Sequence, residues 1–126
     1  MTKRVLMIED FPVIQKLYKE PLKAAGYDVD IVADGKLALG VLEKNQYDFI
    51  LLDMLLPSMN GIEFLEQYQT RPDHTVIIAL SDFTEPGRIN RAKELGVSEY
   101  WTKFDNVPSA LIEKLDNYQR DHPSTP

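Results

Sequence analysis

The stretch YDFILLDMLLPSMNG, from Tyr47 to Gly61, decides the fold. Its apolar run from Phe49 to Leu52 is too short to span a membrane and has the length of a strand that is covered on both faces of a sheet. The run ends in a carboxylate, Asp53, and the proline and glycine beyond it predict a loop before a helical pattern begins at Ile62. Ligands of an open parallel sheet bind beyond the carboxyl ends of its strands, which makes Asp53 a candidate functional residue, although Asp also ends strands as a turn or cap residue.

Length and composition restrict the classes of protein to consider. A chain of 126 residues, 44% hydrophobic and 27% charged, fits one globular domain. No signal peptide or membrane-length apolar run is visible, so we expect a cytoplasmic protein. The absence of cysteine excludes disulfide scaffolds and thiolate chemistry. A net charge of -6 with scattered Lys and Arg argues against direct binding of nucleic acid.

Apolar and helical patterns alternate along the whole chain. Besides the central run, strands are predicted at 4–8, 27–32, 76–80 and 100–102, and helices at 11–25, 37–44, 62–69, around 89–95 and from about Pro108. The alternating pattern of 27–32 indicates a more exposed edge strand. Pro21 predicts a kink or an early break of the first helix near Lys19 and Glu20. The alternation predicts a parallel sheet with helices on both faces and right-handed crossovers.

Polar residues follow four of the predicted strands. Glu9 and Asp10 follow the first, Asp53 the third, Ser81 the fourth and Lys103 the fifth. Each alone has an ordinary explanation as a cap, a turn residue or a solvated charge. All four positions, however, meet at one edge of one parallel sheet, which indicates a functional site there.

Together these features closely resemble the receiver domain of two-component response regulators. The match rests on the acid pair after the first strand, the spacing Asp53-x-x-x-Pro57-x-x-x-Gly61, Ser81 after the fourth strand, and Tyr100 three residues before Lys103. The resemblance implies an α/β flavodoxin-like fold, a three-layer (βα)5 sandwich with a five-stranded parallel sheet in the order 2-1-3-4-5. We expect a receiver domain over residues 1–119 and a flexible tail over 120–126.

The resemblance also assigns roles to the acids. Asp53 would accept a phosphoryl group from a phosphohistidine on a sensor histidine kinase or a histidine phosphotransfer protein. Glu9, Asp10 and Asp53, with the backbone carbonyl of Leu55, would bind Mg²⁺. A carboxylate can form such a covalent intermediate, and Mg²⁺ prefers oxygen ligands.

The resemblance also implies which residues contact the phosphoryl oxygens and which residues form the switch. Lys103 would supply a positive charge and Ser81 a hydroxyl, while Ser81 and Tyr100 would form the switch. The downstream protein would bind the fourth helix, fifth strand and fifth helix, and dimerisation on phosphorylation stays open. Such a domain is a signalling module that catalyses only its own phosphorylation and slow dephosphorylation.

The chain departs from the family pattern at two places. The family usually has Lys-Pro, with a cis bond, where this chain has Lys103-Phe104; because a cis bond before a residue other than proline costs about 2.5–4 kcal/mol, we predict a trans or strained bond. Leu55 and Phe83 occupy the positions that in the family tune hydrolysis of the phosphorylated form. Neither side chain can orient water, which predicts slow self-dephosphorylation.

The residues argue against three other functions. A pseudo-receiver would act as an interaction module without phosphorylation, but no acid or lysine of the pattern is missing. A phosphohydrolase of the haloacid-dehalogenase type needs an acid where Leu55 stands. A nucleotide-binding flavodoxin-like protein would need a Gly-rich loop after the first strand. The sequence leaves open the partner kinase, the output pathway and whether the chain was cut from a longer regulator.

Overall fold

Five strands alternate with five helices in the computed structural model, which describes residues 2–56, 59–69, 75–81, 86–102 and 108–121. The strands are β1 (Arg4–Ile8), β2 (Asp28–Val32), β3 (Phe49–Asp53), β4 (Val76–Ser81) and β5 (Glu99–Thr102). The helices are α1 (Pro12–Ala24), α2 (Gly35–Lys44), α3 (Gly61–Gln67), α4 (Pro86–Glu94) and α5 (Pro108–Asp121). No helix in these ranges is both long and apolar enough to cross a membrane.

The five strands form one parallel sheet in the order β2-β1-β3-β4-β5. This order confirms the predicted flavodoxin-like topology. It also confirms that β2 is an edge strand, and its first and third residues are exposed. The central strand β3 is buried over its whole length, because helices cover both faces of the sheet.

Successive residues along each strand point to opposite faces of the sheet and pack into two separate cores. Leu6, Ile50 and Ile77 point to the face covered by α2, α3 and α4. Met7 and Leu51 point to the opposite face, where they pack with residues of α1 and α5. This two-sided burial explains why the strands appear in the sequence as continuous apolar runs rather than as alternating patterns.

The ends of α1 and α4 follow the sequence prediction. Gly26 and Gly96 take left-handed φ values of 98° and 106°, and their amides donate to the main-chain oxygens of Lys23 and Lys93. Glycine adopts this conformation without the steric cost that a Cβ brings. Both glycines therefore end their helices close to the predicted boundaries at 25 and 95.

The prediction of an early break in α1 is wrong. The helix runs without interruption through Pro21 to Ala24. Proline removes one helical hydrogen bond and crowds the preceding turn. Tyr18 and Leu22, on either side of Pro21, are both buried against the sheet, and this packing offsets the cost of the proline.

The start of α2 differs from the sequence prediction. Asp34 and Gly35, which the prediction left between the strand at 27–32 and the helix at 37–44, instead begin α2, because the Asp34 carboxylate accepts a hydrogen bond of 2.8 Å from the Leu37 amide and caps the helix. Caps and turns use the same residue types, so pattern alone did not separate them.

Candidate functional site

The candidate site lies at the carboxyl-terminal edge of the sheet. Glu9 and Asp10 directly follow β1, Asp53 is the last residue of β3, and Ser81 is the last residue of β4. The register places Asp53 beside Leu80, one residue before Ser81, and places Ser81 beside Thr102. Parallel pairing thus brings the ends of four strands to the same edge.

Three carboxylates converge there. One oxygen from each of Glu9, Asp10 and Asp53 lies within 4.8 Å of the other two. Glu9 is 1% exposed and Asp53 is 5% exposed, whereas Asp10 lies on the open side of the cluster. Like charges this close repel one another, and the repulsion grows as water is excluded. A set of hard oxygen ligands with one open side suits a divalent cation such as Mg²⁺, which keeps several of its waters.

The turn from β1 to α1 fixes the first two acids. The Glu9 amide donates to the Val32 oxygen at 3.0 Å, which extends the pairing with β2 by one residue. The Phe11 amide donates to Glu9 Oε2 at 3.2 Å. The Gln15 side-chain amide, from the first turns of α1, donates to the main-chain oxygen of Glu9 at 2.6 Å. Sequence reasoning missed Gln15, whose only signal is a polar amide on the helix that follows the acids.

Main-chain hydrogen bonds hold Asp53 and its carboxylate in place. The Met54 amide donates to the Leu80 oxygen at 3.0 Å, so β3 stays paired with β4 up to the acid. The Leu55 amide then donates to Asp53 Oδ1 at 3.0 Å. The Leu55 side chain is 42% exposed and presents an apolar surface next to the acid. The role of its carbonyl as a metal ligand stays a prediction.

Close packing holds the loop after Asp53 against the start of α3. A Cβ on Gly61 would overlap Met54 Sδ and would lie 2.9 Å from Met54 Cα, so glycine is needed for this approach. The Gly61 amide also donates to the Met54 oxygen at 3.0 Å. Asn60 and Glu63 form a capping box, in which the Asn60 side chain accepts from the Glu63 amide at 2.9 Å. The eight-residue spacing from Asp53 to Gly61 therefore has a packing reason.

The predicted switch residues lie on neighbouring strands. Ser81 is fully buried at the end of β4. Tyr100 on β5 is half-buried and packs against the core under α2, α3 and α4. Trp101 packs against the opposite core, with Lys114 Nζ of α5 4.7 Å from its ring centroid. Tyr100 and Ser81 are thus close in the sheet, and their switching role stays a prediction.

Several residues of the sequence prediction lie outside the described part of the chain. They are Pro57, Phe83, Lys103 and Phe104. The predicted phosphoryl contact of Lys103 and the conformation of the Lys103-Phe104 bond therefore remain predictions.

Comparison with known proteins identifies one protein family. A family model described as the response regulator receiver domain matches residues 5–116. Sporulation initiation phosphotransferase F of Bacillus subtilis is 31% identical over 118 residues, which cover 91% of this chain and 95% of that protein. The polar-differentiation response regulator DivK of Brucella ovis is 30% identical over 123 residues, 96% of this chain and 99% of that protein.

Solved structures agree with this fold. The chemotaxis response regulator CheY4 of Vibrio cholerae superposes with a TM-score of 0.83 at 29% identity, covering 93% of this chain and 98% of that one. A CheY-like response regulator receiver domain protein of Methanospirillum hungatei JF-1 gives a TM-score of 0.88 at 26% identity, covering 96% of each chain.

Proposed function

The chain belongs to the response regulator receiver domain family, and from this premise we propose that Asp53 is the residue that accepts the phosphoryl group. The observation that carries the proposal is the acid cluster, in which carboxylate oxygens of Asp53, Glu9 and Asp10 lie within 4.8 Å of one another at the carboxyl edge of the sheet. A carboxylate held in place can attack phosphorus and keep the group as an acyl phosphate.

The transfer is a displacement at phosphorus. A carboxylate oxygen of Asp53 attacks the phosphorus of a phosphohistidine on the donor protein. The new O–P bond forms as the P–N bond breaks, and the imidazole leaves with the bonding pair and takes a proton from water. The Leu55 amide, 3.0 Å from Asp53 Oδ1, orients the carboxylate for the attack. Positioning of this kind is the larger part of phosphoryl-transfer catalysis.

The same cluster would hold the cation. Asp10 and Asp53 would bind Mg²⁺ directly, with the Leu55 carbonyl, and the buried Glu9 would act through a water molecule. When bound, the ion neutralises negative charge on the acids and on the phosphoryl oxygens. The carboxylate separation within 4.8 Å and the open side at Asp10 support this assignment.

Ser81 and Lys103 would contact the phosphoryl oxygens. The hydroxyl of Ser81 would donate to one oxygen, and the ammonium of Lys103 would pair with another. The position of Ser81, beside the strand that carries Asp53 and one register step from it, supports the first contact. In the sequence, Lys103 directly follows Thr102, the last residue of β5.

Phosphorylation would then change the surface of the module. It adds roughly -1.5 to -2 charges at Asp53, which would draw Ser81 inward and favour an inward position of Tyr100. Tyr100 already packs against the core that contains Ala92 of α4. The face formed by α4, β5 and α5 would therefore bind a downstream protein or a second phosphorylated copy, and the donor would be a sensor kinase or a phosphotransfer protein.

The receiver unit would cover residues 1–119, with a tail from 120 to 126. Its support is the family match to 5–116 and the burial of Leu111 and Leu115 on α5 against the sheet. The pseudo-receiver alternative makes the opposite prediction, that Asp53 takes no phosphate, and one experiment separates the two.

That experiment is intact-mass measurement after incubation with acetyl phosphate and Mg²⁺. We expect the wild type to gain one phosphoryl group and Asp53→Asn to gain none. Asp48→Asn is the matched control, since Asp48 lies at the other end of β3, where its carboxylate accepts from the Arg4 amide at 2.8 Å; this variant should be phosphorylated like the wild type. A folded wild type without any gain in mass would refute the proposal and favour the pseudo-receiver.

A further inference from the structure

The turn that carries Glu9 and Asp10 is tied to α1 by a side chain outside the acid cluster. We propose that Gln15 is a positioning residue, which holds these acids in the arrangement that binds the cation. Its side-chain amide donates to the main-chain oxygen of Glu9 at 2.6 Å, and Gln15 itself is half-buried. The inference rests on the proposed magnesium site and concerns how tightly that site binds.

The oxygen that Gln15 contacts belongs to the peptide that joins Glu9 to Asp10. Fixing this oxygen fixes the plane of the peptide, and this plane, together with the φ angle of Asp10, sets the direction in which the Asp10 side chain leaves the backbone. The Glu9 amide donates to the Val32 oxygen and carries the pairing with β2 one residue beyond β1. Gln15 adds an orienting contact on the next peptide.

At the start of α1, the contact that orients the Glu9–Asp10 peptide comes from a side chain in the next turn of the helix. Phe11 occupies the N-cap position and makes no side-chain capping bond, and Pro12 follows it as the first helical residue. The Gln15 main-chain amide donates to the Phe11 oxygen at 3.0 Å, which anchors Gln15 directly behind the turn. Its side chain then reaches back over that turn to Glu9. Residues that orient metal ligands typically change metal affinity by about 10- to 100-fold when they are removed.

A merely structural role for Gln15 makes a different prediction, and the chain offers a matched control. Gln69 donates its side-chain amide to the Leu65 main-chain oxygen at 2.5 Å, after the end of α3 and away from the acids. Gln15→Met and Gln69→Met each remove one bond of the same type. If Gln15 only supported its helix, both variants would lose stability and neither would change its affinity for the cation.

The test is a Mg²⁺ titration of the full chain, followed by the NMR shifts of the Asp10, Phe11 and Leu55 amides. We expect Gln15→Met to bind Mg²⁺ about tenfold more weakly than the wild type, with Gln69→Met unchanged. At saturating Mg²⁺, Gln15→Met should be phosphorylated within about twofold of the wild-type rate, because the acids themselves remain. Gln15→Ala, which favours the helix, is the second variant if Gln15→Met does not fold.

The outcomes separate the inference from the proposed function. Equal Mg²⁺ affinity of Gln15→Met and the wild type would overturn the role of Gln15 and leave the magnesium site standing. Equal weakening in Gln15→Met and Gln69→Met would also overturn it, since the effect would follow general stability. A wild type whose amides at the acids do not respond to Mg²⁺ would overturn both.

Discussion

Substitution of Gly61 by alanine tests whether packing behind Asp53 controls the site. Within the described ranges, left-handed φ values occur at Gly26 and Gly96, so Gly61 is not needed for its backbone conformation. It is needed for space, because an added Cβ would lie 2.9 Å from Met54 Cα, a backbone atom that cannot rotate away. Either α3 or the strand end that carries Asp53 must therefore move.

The magnitude follows from the size of the overlap. Ordinary contacts between such atoms are about 3.5–4.0 Å, so relief requires a shift of roughly half an ångström or more. Overpacking of this kind costs about 1–3 kcal/mol of unfolding free energy. Displacement of a reacting group by about 1 Å can cost on the order of 100-fold in rate, and Met54 is the residue next to Asp53. We expect Gly61→Ala to lose about 1–3 kcal/mol and to be phosphorylated at least about tenfold more slowly.

Urea unfolding and the rate of phosphorylation by acetyl phosphate measure the two effects. Gly40→Ala is the matched control, because a Cβ on Gly40 in α2 would meet nothing within 4 Å among the described residues. That variant should gain about 0.5–1 kcal/mol, since glycine is unfavourable inside a helix, and its rate should not change. A Gly61→Ala protein as stable and as fast as the wild type would refute the packing account.

Three further outcomes are expected. Leu55→Asn combined with Phe83→Glu should shorten the half-life of the phosphorylated protein by about tenfold or more, because the introduced Asn and Glu side chains can orient water. An unchanged half-life in a mass time course would contradict the role given to the two positions. Burial, followed by the hydrogen bond donated to Asp30, raises the pKa of Tyr47 to about 12 from an ordinary value of 10. The protonated Tyr47 hydroxyl therefore contributes stability that is complete below pH 10 and is lost as pH rises through 12. In urea unfolding, the difference in stability between wild type and Tyr47→Phe should shrink over that window by at most roughly 3 kcal/mol. Asn60→Ala should cost about 1 kcal/mol by loss of the helix cap, and equal urea midpoints would show that the cap adds nothing.

The fold was predictable because burial on both faces leaves a strong signal. Strand β1 was predicted with the bounds that the structure has, and β3 differs by one residue, since each is a continuous apolar run that ends abruptly in an acid. The meeting of Glu9, Asp10 and Asp53 followed from parallel pairing alone, because parallel strands share their carboxyl edge.

What the sequence did not reveal depends on contacts between distant residues. The low helix propensity of proline predicted a break at Pro21, but the burial of Tyr18 and Leu22 offsets this cost and the helix continues. The link from Gln15 to Glu9 depends on a side chain reaching back to a turn, which no periodicity records. The fit of Gly61 against Met54 is likewise set by the approach of a helix to a strand end.

At the edge of the sheet opposite the acid cluster, ion pairs link neighbouring strands. The Arg4 guanidinium lies 4.6 Å from the ring centroid of Tyr47 and contacts Asp28 at 3.5 Å and Asp30 at 3.4 Å. The Tyr47 hydroxyl donates to Asp30 at 2.6 Å. These partly exposed ion pairs contribute little individually, about 0–1 kcal/mol each, but Arg4 offsets part of the negative charge of Asp28 and Asp30.

A second polar contact fixes α5 to the same edge. The Tyr27 hydroxyl donates to Asp116 at 2.6 Å and accepts from the Gln119 amide at 2.7 Å. Burial raises the pKa of Tyr27, and donation to the Asp116 carboxylate raises it further, so the hydroxyl keeps its proton and the contact persists over the ordinary pH range. The carboxyl-terminal half of α5 is therefore anchored near the start of β2.

The two edges thus have opposite electrostatics. At one, acids are matched by Arg4 and by tyrosine hydroxyls, while at the other Glu9, Asp10 and Asp53 bring like charges within 4.8 Å. Repulsion among the three acids lowers the stability of the arrangement and at the same time supplies the free energy that favours a bound cation. A structural response to a cation or to phosphorylation is therefore expected in the loops after β1, β3 and β4, and the ion-paired edge should stay in place. Hydrogen exchange that slowed at the opposite edge on addition of Mg²⁺, and not at the acids, would contradict this division.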